Sequence, residues 1–156
     1  MVKLEETLKK HGLSMPQPAA KGGVYESVKD FGSNFCYLSG CLPVFNGEQK
    51  FTGKLGKDLS LEQGQEAARY CALNILAHLQ AKYGSLDKVK RLVKLLVFVA
   101  CADDFYQQPL VANGASQLFV DIFGEEAGCA ARSAIGTNVL PRNAPVEIEV
   151  LVELHP

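Results

Sequence analysis

The chain reads as one α+β domain, a mixed β-sheet with two helices packed on one face. Three observations predict it. A long capped helical pattern follows a set of short β-prone segments. An apolar run in the middle of the chain has the character of a central strand. The C-terminal segment alternates strictly between apolar and charged residues. The 156 residues fit a single domain, and a chain of that length buries enough surface to fold without disulfide or metal.

Val2 to Lys10 predicts a short amphipathic helix stopped at Gly12, with Pro16 and Pro18 marking a non-helical connection. Residues 1–21 are accordingly read as an N-terminal helix and connection, and 22–156 as the main domain. Val24 to Val28 reads as a weak strand and Phe35 to Leu42 as a stronger one stopped by Pro43. Asn46-Gly47 signals a hairpin between Val44-Phe45 and the Lys50-Phe51 side. Ser60 and Gln63 form a capping box. Leu61, Ala68, Cys71, Ala72, Ile75, Leu76, Leu79 and Tyr83 then recur at helical steps up to Gly84.

Val89 to Ala100 reads as a central strand, apolar on both faces from Leu95 onward. Leu92, Leu96 and Phe98 are placed on the face away from the helices. Helices covering only one side leave that face wet, which predicts burial against another subunit. Leu110 to Phe123 reads as the second helix, held off by Pro109 and closed by Gly124, and Arg132 to Val139 as a strand. After a turn over Pro141 to Pro145, Val146 to Leu154 returns with Val146, Ile148, Val150 and Val152 on one face and Glu147, Glu149 and Glu153 on the other.

Composition removes several function classes. With 47% hydrophobic and 21% charged residues and a formal net charge of -1, no global field draws nucleic acid or an anionic membrane. The longest uncharged apolar run, Leu95 to Ala102, is far below the ~20 residues of a membrane helix. The charged amino end has no apolar signal core, and a cytoplasmic location is expected. Cys36, Cys41, Cys71, Cys101 and Cys129 are odd in number and lack a C-x-x-C pair, which favours reduced thiols. His11, His78 and His155 lie far apart and form no ligand cluster, so no metal site is expected.

Four segments together resemble the RidA/YjgF family, also called L-PSP or reactive-intermediate deaminase. They are Tyr37-Leu38-Ser39-Gly40 with Leu42-Pro43; Ser60-Leu61-Glu62; Asp103-Asp104-Phe105; and Ala131-Arg132-Ser133 with Leu140-Pro141 and Val146-Glu147-Ile148-Glu149. The resemblance spans roughly residues 22 to 154, and the amino-terminal helix with the longer stretch around Asn113 points to the longer branch. It implies a chorismate-mutase-like fold, a homotrimer with ligand clefts between subunits, and hydrolysis of 2-imino and 2-enamino acids to 2-oxo acids and ammonia without a cofactor.

An imino acid presents a carboxylate beside an electrophilic C=N carbon, and its hydrolysis needs mainly positioning and proton management. On the resemblance, Arg132 grips the carboxylate of a small-molecule ligand through two parallel hydrogen bonds, and Glu147 orients water or passes protons. Ser39, Gly40 and Ser133 are further substrate-binding candidates, with Tyr25 and Asn113 as the matches for a family tyrosine and asparagine. Tyr25 lies one residue too far from Ser39, and ungapped counting puts Ser116 at the asparagine position. Cys41 replaces a common glutamine, and Ala134 stands where some deaminases carry cysteine. Cys41 and Cys129 are weighed as reactive thiols but read as small hydrophobes.

Lys88, Lys90, Arg91 and Lys94 form a basic cluster suited to RNA phosphates, with no aromatic platform beside it. The competing functions are therefore a non-catalytic 2-oxo acid binding protein and, more weakly, an endoribonuclease or translation inhibitor.

Overall fold

The computed structural model describes residues 4–156. A short helix α1 (Leu4–Lys10) precedes β1 (Val28–Phe31), β2 (Phe35–Cys41) and the small hairpin β3 (Val44–Phe45) and β4 (Glu48–Gln49). The long helix α2 (Leu61–Tyr83), β5 (Val89–Ala100), α3 (Gln108–Phe123) and a single turn α4 (Glu125–Gly128) follow, then β6 (Ala131–Thr137) and β7 (Val146–Leu154). The five-stranded sheet runs in the order β1-β2-β7-β5-β6. Its β5–β6 pair is parallel and the others antiparallel, so the sheet is mixed as expected.

The capping box forms as read. Ser60 Oγ accepts from the Gln63 amide at 3.2 Å, and the Gln63 side chain accepts from the Ser60 amide at 2.9 Å. Gly84 closes α2 in the left-handed conformation. Asn46 and Gly47 both take positive φ, the requirement of a two-residue hairpin turn. The returning strand is Glu48–Gln49 rather than the Lys50-Phe51 side.

Both long helices lie on one face of the sheet, packed on each other and on the central strands. The core between them holds Leu73, Ile75, Leu76 and Leu79 from α2 and Leu118 and Phe119 from α3. The sheet contributes Leu95, Val97, Ile148, Val150 and Val152. Each fully buried side chain of this kind contributes roughly 1.5–3 kcal/mol. The two helices meet closely at Gly114, where an added Cβ would lie 2.0 Å from the Gln65 carbonyl oxygen.

Two further expectations need correction. The first strand is Val28–Phe31, not Val24 to Val28. It pairs with β2 through a turn at Gly32, whose φ is +57°, and Val24 is fully exposed after Gly22-Gly23. Leu92 faces the helices, not the open side, because pairing irregularities between Val89 and Arg91 and between Leu92 and Lys94 shift the alternation. The N-terminal helix is described from Leu4, and Val2 lies outside the described residues. It docks on α3, with Thr7 Oγ1 donating to the Asp121 carbonyl at 3.2 Å and His11 Nε2 meeting Asp121 Oδ2 at 2.7 Å.

The open face carries Tyr37, Lys94, Leu96, Phe98, Ser133, Ile135, Glu149 and Leu151 in cross-strand register. Tyr37 donates to Glu149 at 2.6 Å, which pushes the tyrosine pKa up to about 12. Tyr37 and Ile135 are exposed in the single chain.

Candidate functional site

The pairing of β2 with β7 slips between Leu38 and Cys41, so Ser39 and Gly40 bulge where β2 leaves the sheet. A bulge at a strand exit re-aims side chains, and here it opens a pocket of about 440 Å³. Ser27, Ser39, Gly40, Cys41 and Glu147 line it from the strand side, and Asn74 and His78 from α2. Tyr25 and Arg142 also belong to its wall.

Gly40 is required by this arrangement. A Cβ there would lie 2.1 Å from Glu147 Oε1, so the Glu147 carboxyl occupies the space a side chain would take. Burial, aided by the neighbouring Glu149 charge, pushes the Glu147 pKa up from its ordinary value. Ser39 Oγ donates to the Glu26 carbonyl at 2.7 Å and keeps its lone pairs for a donor in the pocket. Tyr25 is half-exposed, its hydroxyl accepting from the Gly22 amide at 3.0 Å. The rim is fixed by Arg142 and Asn143 in left-handed conformations, with the Gln49 amide donating to the Arg142 carbonyl at 2.9 Å.

Cys41 is fully enclosed, and burial together with Glu147 pushes its thiol pKa up to about 12. That leaves essentially no thiolate at neutral pH and removes it as a nucleophile. Cys129 is exposed and does not line the pocket. Among the described residues no cluster of three or more His, Cys, Asp or Glu could hold a metal ion.

Arg132 stands elsewhere. It lies on β6, the edge strand, separated from β7 by β5, and at about 4.8 Å per strand that is roughly 10 Å across the sheet. Its register partner is the buried Leu95, so it faces the helix side, whereas Glu147 pairs with Phe98 on the open side. Nη1 donates to Asn113 Oδ1 at 2.9 Å and Ser116 Oγ at 3.0 Å, and Nη2 donates to the Pro109 carbonyl at 3.2 Å. Both asparagine-position candidates thus touch the guanidinium. Ser133 lies on the other face of β6 and accepts from Lys94 Nζ at 2.8 Å. The sequence-derived residues therefore separate into a pocket group (Tyr25, Ser39, Gly40, Glu147) and an edge group (Arg132, Asn113), with Ser133 apart from both.

Asn74 and His78 were missed. Their only signal was polarity within the apolar stripe of α2, four residues apart.

The family profile described as "YjgF/chorismate_mutase-like, putative endoribonuclease" matches residues 5–154. The chain belongs to this family. It is 45% identical over 148 residues to Protein TCP17 of Trypanosoma cruzi, covering 95% of this chain and 92% of that protein. The solved structure of Atu1372 from Agrobacterium tumefaciens is 41% identical with a TM-score of 0.88, covering 97% of this chain and 92% of that one. A "putative endoribonuclease" from Shewanella oneidensis is 31% identical with a TM-score of 0.90, covering 96% and 98%. The mixed sheet with helices on one face is the chorismate-mutase-like fold of the YjgF family. No helix among the described residues is long and apolar enough to cross a membrane.

Proposed function

We propose that this YjgF-family chain is an enamine/imine deaminase that hydrolyses small 2-imino acids to 2-oxo acids and ammonia. The observation that carries this reading is the Glu147 carboxyl, set over Gly40 in a pocket that raises its pKa. Burial disfavours the charged form of this carboxyl, so it takes up a proton more readily than an exposed one, as proton management at a C=N bond requires. In the reaction, water adds to the carbon of the protonated imine and gives up a proton to the Glu147 carboxylate, leaving a neutral carbinolamine. Glu147 returns that proton to the carbinolamine nitrogen, the C–N bond breaks, and the hydroxyl proton passes back to Glu147 as the carbonyl forms, to leave with the ammonia as ammonium. Each site needs one group to hold the substrate carboxylate and one to move protons.

The carboxylate clamp is Arg132, supplied by a neighbouring subunit of a homotrimer. Two features support this. The pocket wall includes no residue of β6, and Arg132 is held by α3 with three of its five N–H donors engaged. The Nε–H and one Nη2–H remain, the pair that grips a carboxylate side-on. The half-covered open face, with Tyr37, Leu96, Phe98 and Ile135, is the surface a trimer buries. The protein should therefore elute near three times its 16.9 kDa chain mass. No cofactor enters this scheme. Buried free thiols at Cys36, Cys41, Cys71 and Cys101 support a reducing, cytoplasmic setting.

The endoribonuclease reading has less support. Lys90 and Arg91 are tied to Glu153 at 2.7 and 2.6 Å, Lys94 to Ser133, and Lys88 to the Pro156 carbonyl at 3.2 Å. The basic cluster is thus largely engaged within the chain rather than presented to phosphates.

The test generates imines in situ with an amino-acid oxidase and follows their loss against semicarbazide trapping. Faster loss with wild type, abolished by Arg132→Ala and by Glu147→Gln, is the expected result. Tight 2-oxo acid binding with no acceleration would replace the enzyme by a binding protein. RNA cleavage that survives Arg132→Ala would replace both.

A further inference from the structure

The pocket holds hydrogen-bonding capacity that the hydrolysis of a simple imine does not use. Asn74 is buried on α2, and its Nδ2 donates to the carbonyls of Leu42 at 3.2 Å, Tyr70 at 3.1 Å and Val44. Three carbonyls around one end of the amide fix its orientation, because a flipped amide would set oxygen against oxygen. The Oδ1 atom is therefore a committed acceptor, and it is buried with no donor in the chain. A buried acceptor left unpaired carries its desolvation penalty uncompensated, which marks this wall of the pocket as more polar than packing alone requires.

His78 lies four residues on, which puts it on the same helical face about 5–6 Å away at Cβ. It is half-buried, lines the same pocket and makes no hydrogen bond to any described residue. Burial lowers its pKa, so the ring is neutral at pH 7, one nitrogen donating and the other accepting. His78 thus gives the pocket one acceptor and one donor with no protein partner, beside the buried and unpaired Asn74 Oδ1.

Volume points the same way. At about 30 Å³ per water-sized unit, the seven non-hydrogen atoms of a four-carbon imino acid fill roughly 200 Å³. The pocket is about 440 Å³, so the α2 side of the wall is open to a substrate side chain.

We propose that His78, backed by the buried Asn74, forms a specificity subsite for the substrate side chain, selecting 2-imino acids that carry a hydroxyl or primary amide over purely aliphatic ones. The inference rests on the deaminase reading and adds the substrate class. A side-chain hydroxyl donates to the acceptor nitrogen of the His78 ring or accepts from its N–H. An aliphatic chain of the same size leaves the ring unpaired, and sites built around a hydrogen bond reject such analogues strongly.

The experiment compares two nearly isosteric imines, those formed by an amino-acid oxidase from homoserine and from norvaline, under semicarbazide competition. Wild type should favour the homoserine imine by about tenfold or more in kcat/KM. His78→Leu should bring that ratio close to one while still hydrolysing the norvaline imine. His78→Gln, which retains a donor and an acceptor, should restore part of the preference and guards against a general packing defect. Asn74 is left intact because its amide ties Leu42 and Val44 to α2. Equal wild-type rates on the two imines, or a preference unchanged in His78→Leu, would overturn the subsite and leave the deaminase standing. No acceleration of either imine would overturn the deaminase and the subsite together. Calorimetry with 4-hydroxy-2-oxobutanoate and 2-oxopentanoate then shows whether the pocket discriminates as a binding site.

Discussion

The pocket beneath β2 and the β6 edge bearing Arg132 are built from the same sheet but reach opposite degrees of completion. Around Glu147 the chain closes on itself: a strand bulge, a glycine without a side chain and a buried helix face enclose one carboxyl and raise its pKa. At β6 a guanidinium is held in place by Asn113, Ser116 and Pro109, with donors to spare. One region supplies a shaped, partly desolvated acid; the other supplies a fixed cation in search of an anion. On the deaminase reading, Arg132 and Glu147, which lie on different faces of one sheet, would meet one small ligand across a subunit boundary.

The comparison is broken most severely by Arg132→Ala. A charge-assisted bidentate grip is worth several kcal/mol once desolvated, so kcat/KM for imine hydrolysis should fall by about a hundredfold. The fold should survive, as measured by circular dichroism. Sharing between subunits is then sharpened by mixing. Arg132→Ala and Glu147→Gln, each inactive alone, should regain about a quarter of the wild-type rate after co-refolding, because a random cyclic mixture rebuilds that share of intact sites. No recovery would place both residues in one subunit's site.

Gly40→Ala is expected to act on the pocket alone. The new methyl takes the position of the Glu147 carboxyl, which must swing away on its flexible side chain. Turnover should drop by about tenfold or more, with little change in denaturation midpoint. Gly114→Ala does the converse. Its methyl meets the Gln65 backbone, which cannot move aside, so about 1–3 kcal/mol of stability is lost and read from urea unfolding.

The smallest effect concerns pH. Glu147 has a folded-state pKa above its unfolded value, so folding is not penalised below the unfolded value of about 4.5, where both states are protonated. As pH rises through the folded-state value, the native state must hold an ill-solvated carboxylate and loses stability. Glu147→Gln should therefore unfold at a higher midpoint than wild type at pH 8, with the difference shrinking toward pH 4. A difference growing toward acid pH would contradict the raised pKa.

Much of the architecture was readable from local chemistry. The Ser60–Gln63 box, Gly84, the Asn46-Gly47 turn and the strict alternation of β7 each concern neighbouring residues, and each appears where it was read. The failures involve register. Val24 to Val28 looks more β-prone than Lys29-Asp30-Phe31, yet pairing with β2 selects the latter. Leu92 changes face because of an irregularity in β5 that leaves no mark in the residue order.

The site divides in the same way. Glu147, Gly40, Ser39 and Arg132 could be named from the motifs that carry the family resemblance. Asn74 and His78 could not, because a polar residue within a helical stripe looks alike whether it packs, binds a loop or faces a cavity. The sequence by itself determined the helices, the order of strands and the identity of the charged groups, since these follow from contacts between residues close along the chain. Only the tertiary structure decided which side chains share a pocket. That choice depends on where β2 slips against β7, segments more than a hundred residues apart, and on the parallel pairing with β5 that puts β6 at the sheet's edge; neither is a contact between neighbours along the chain.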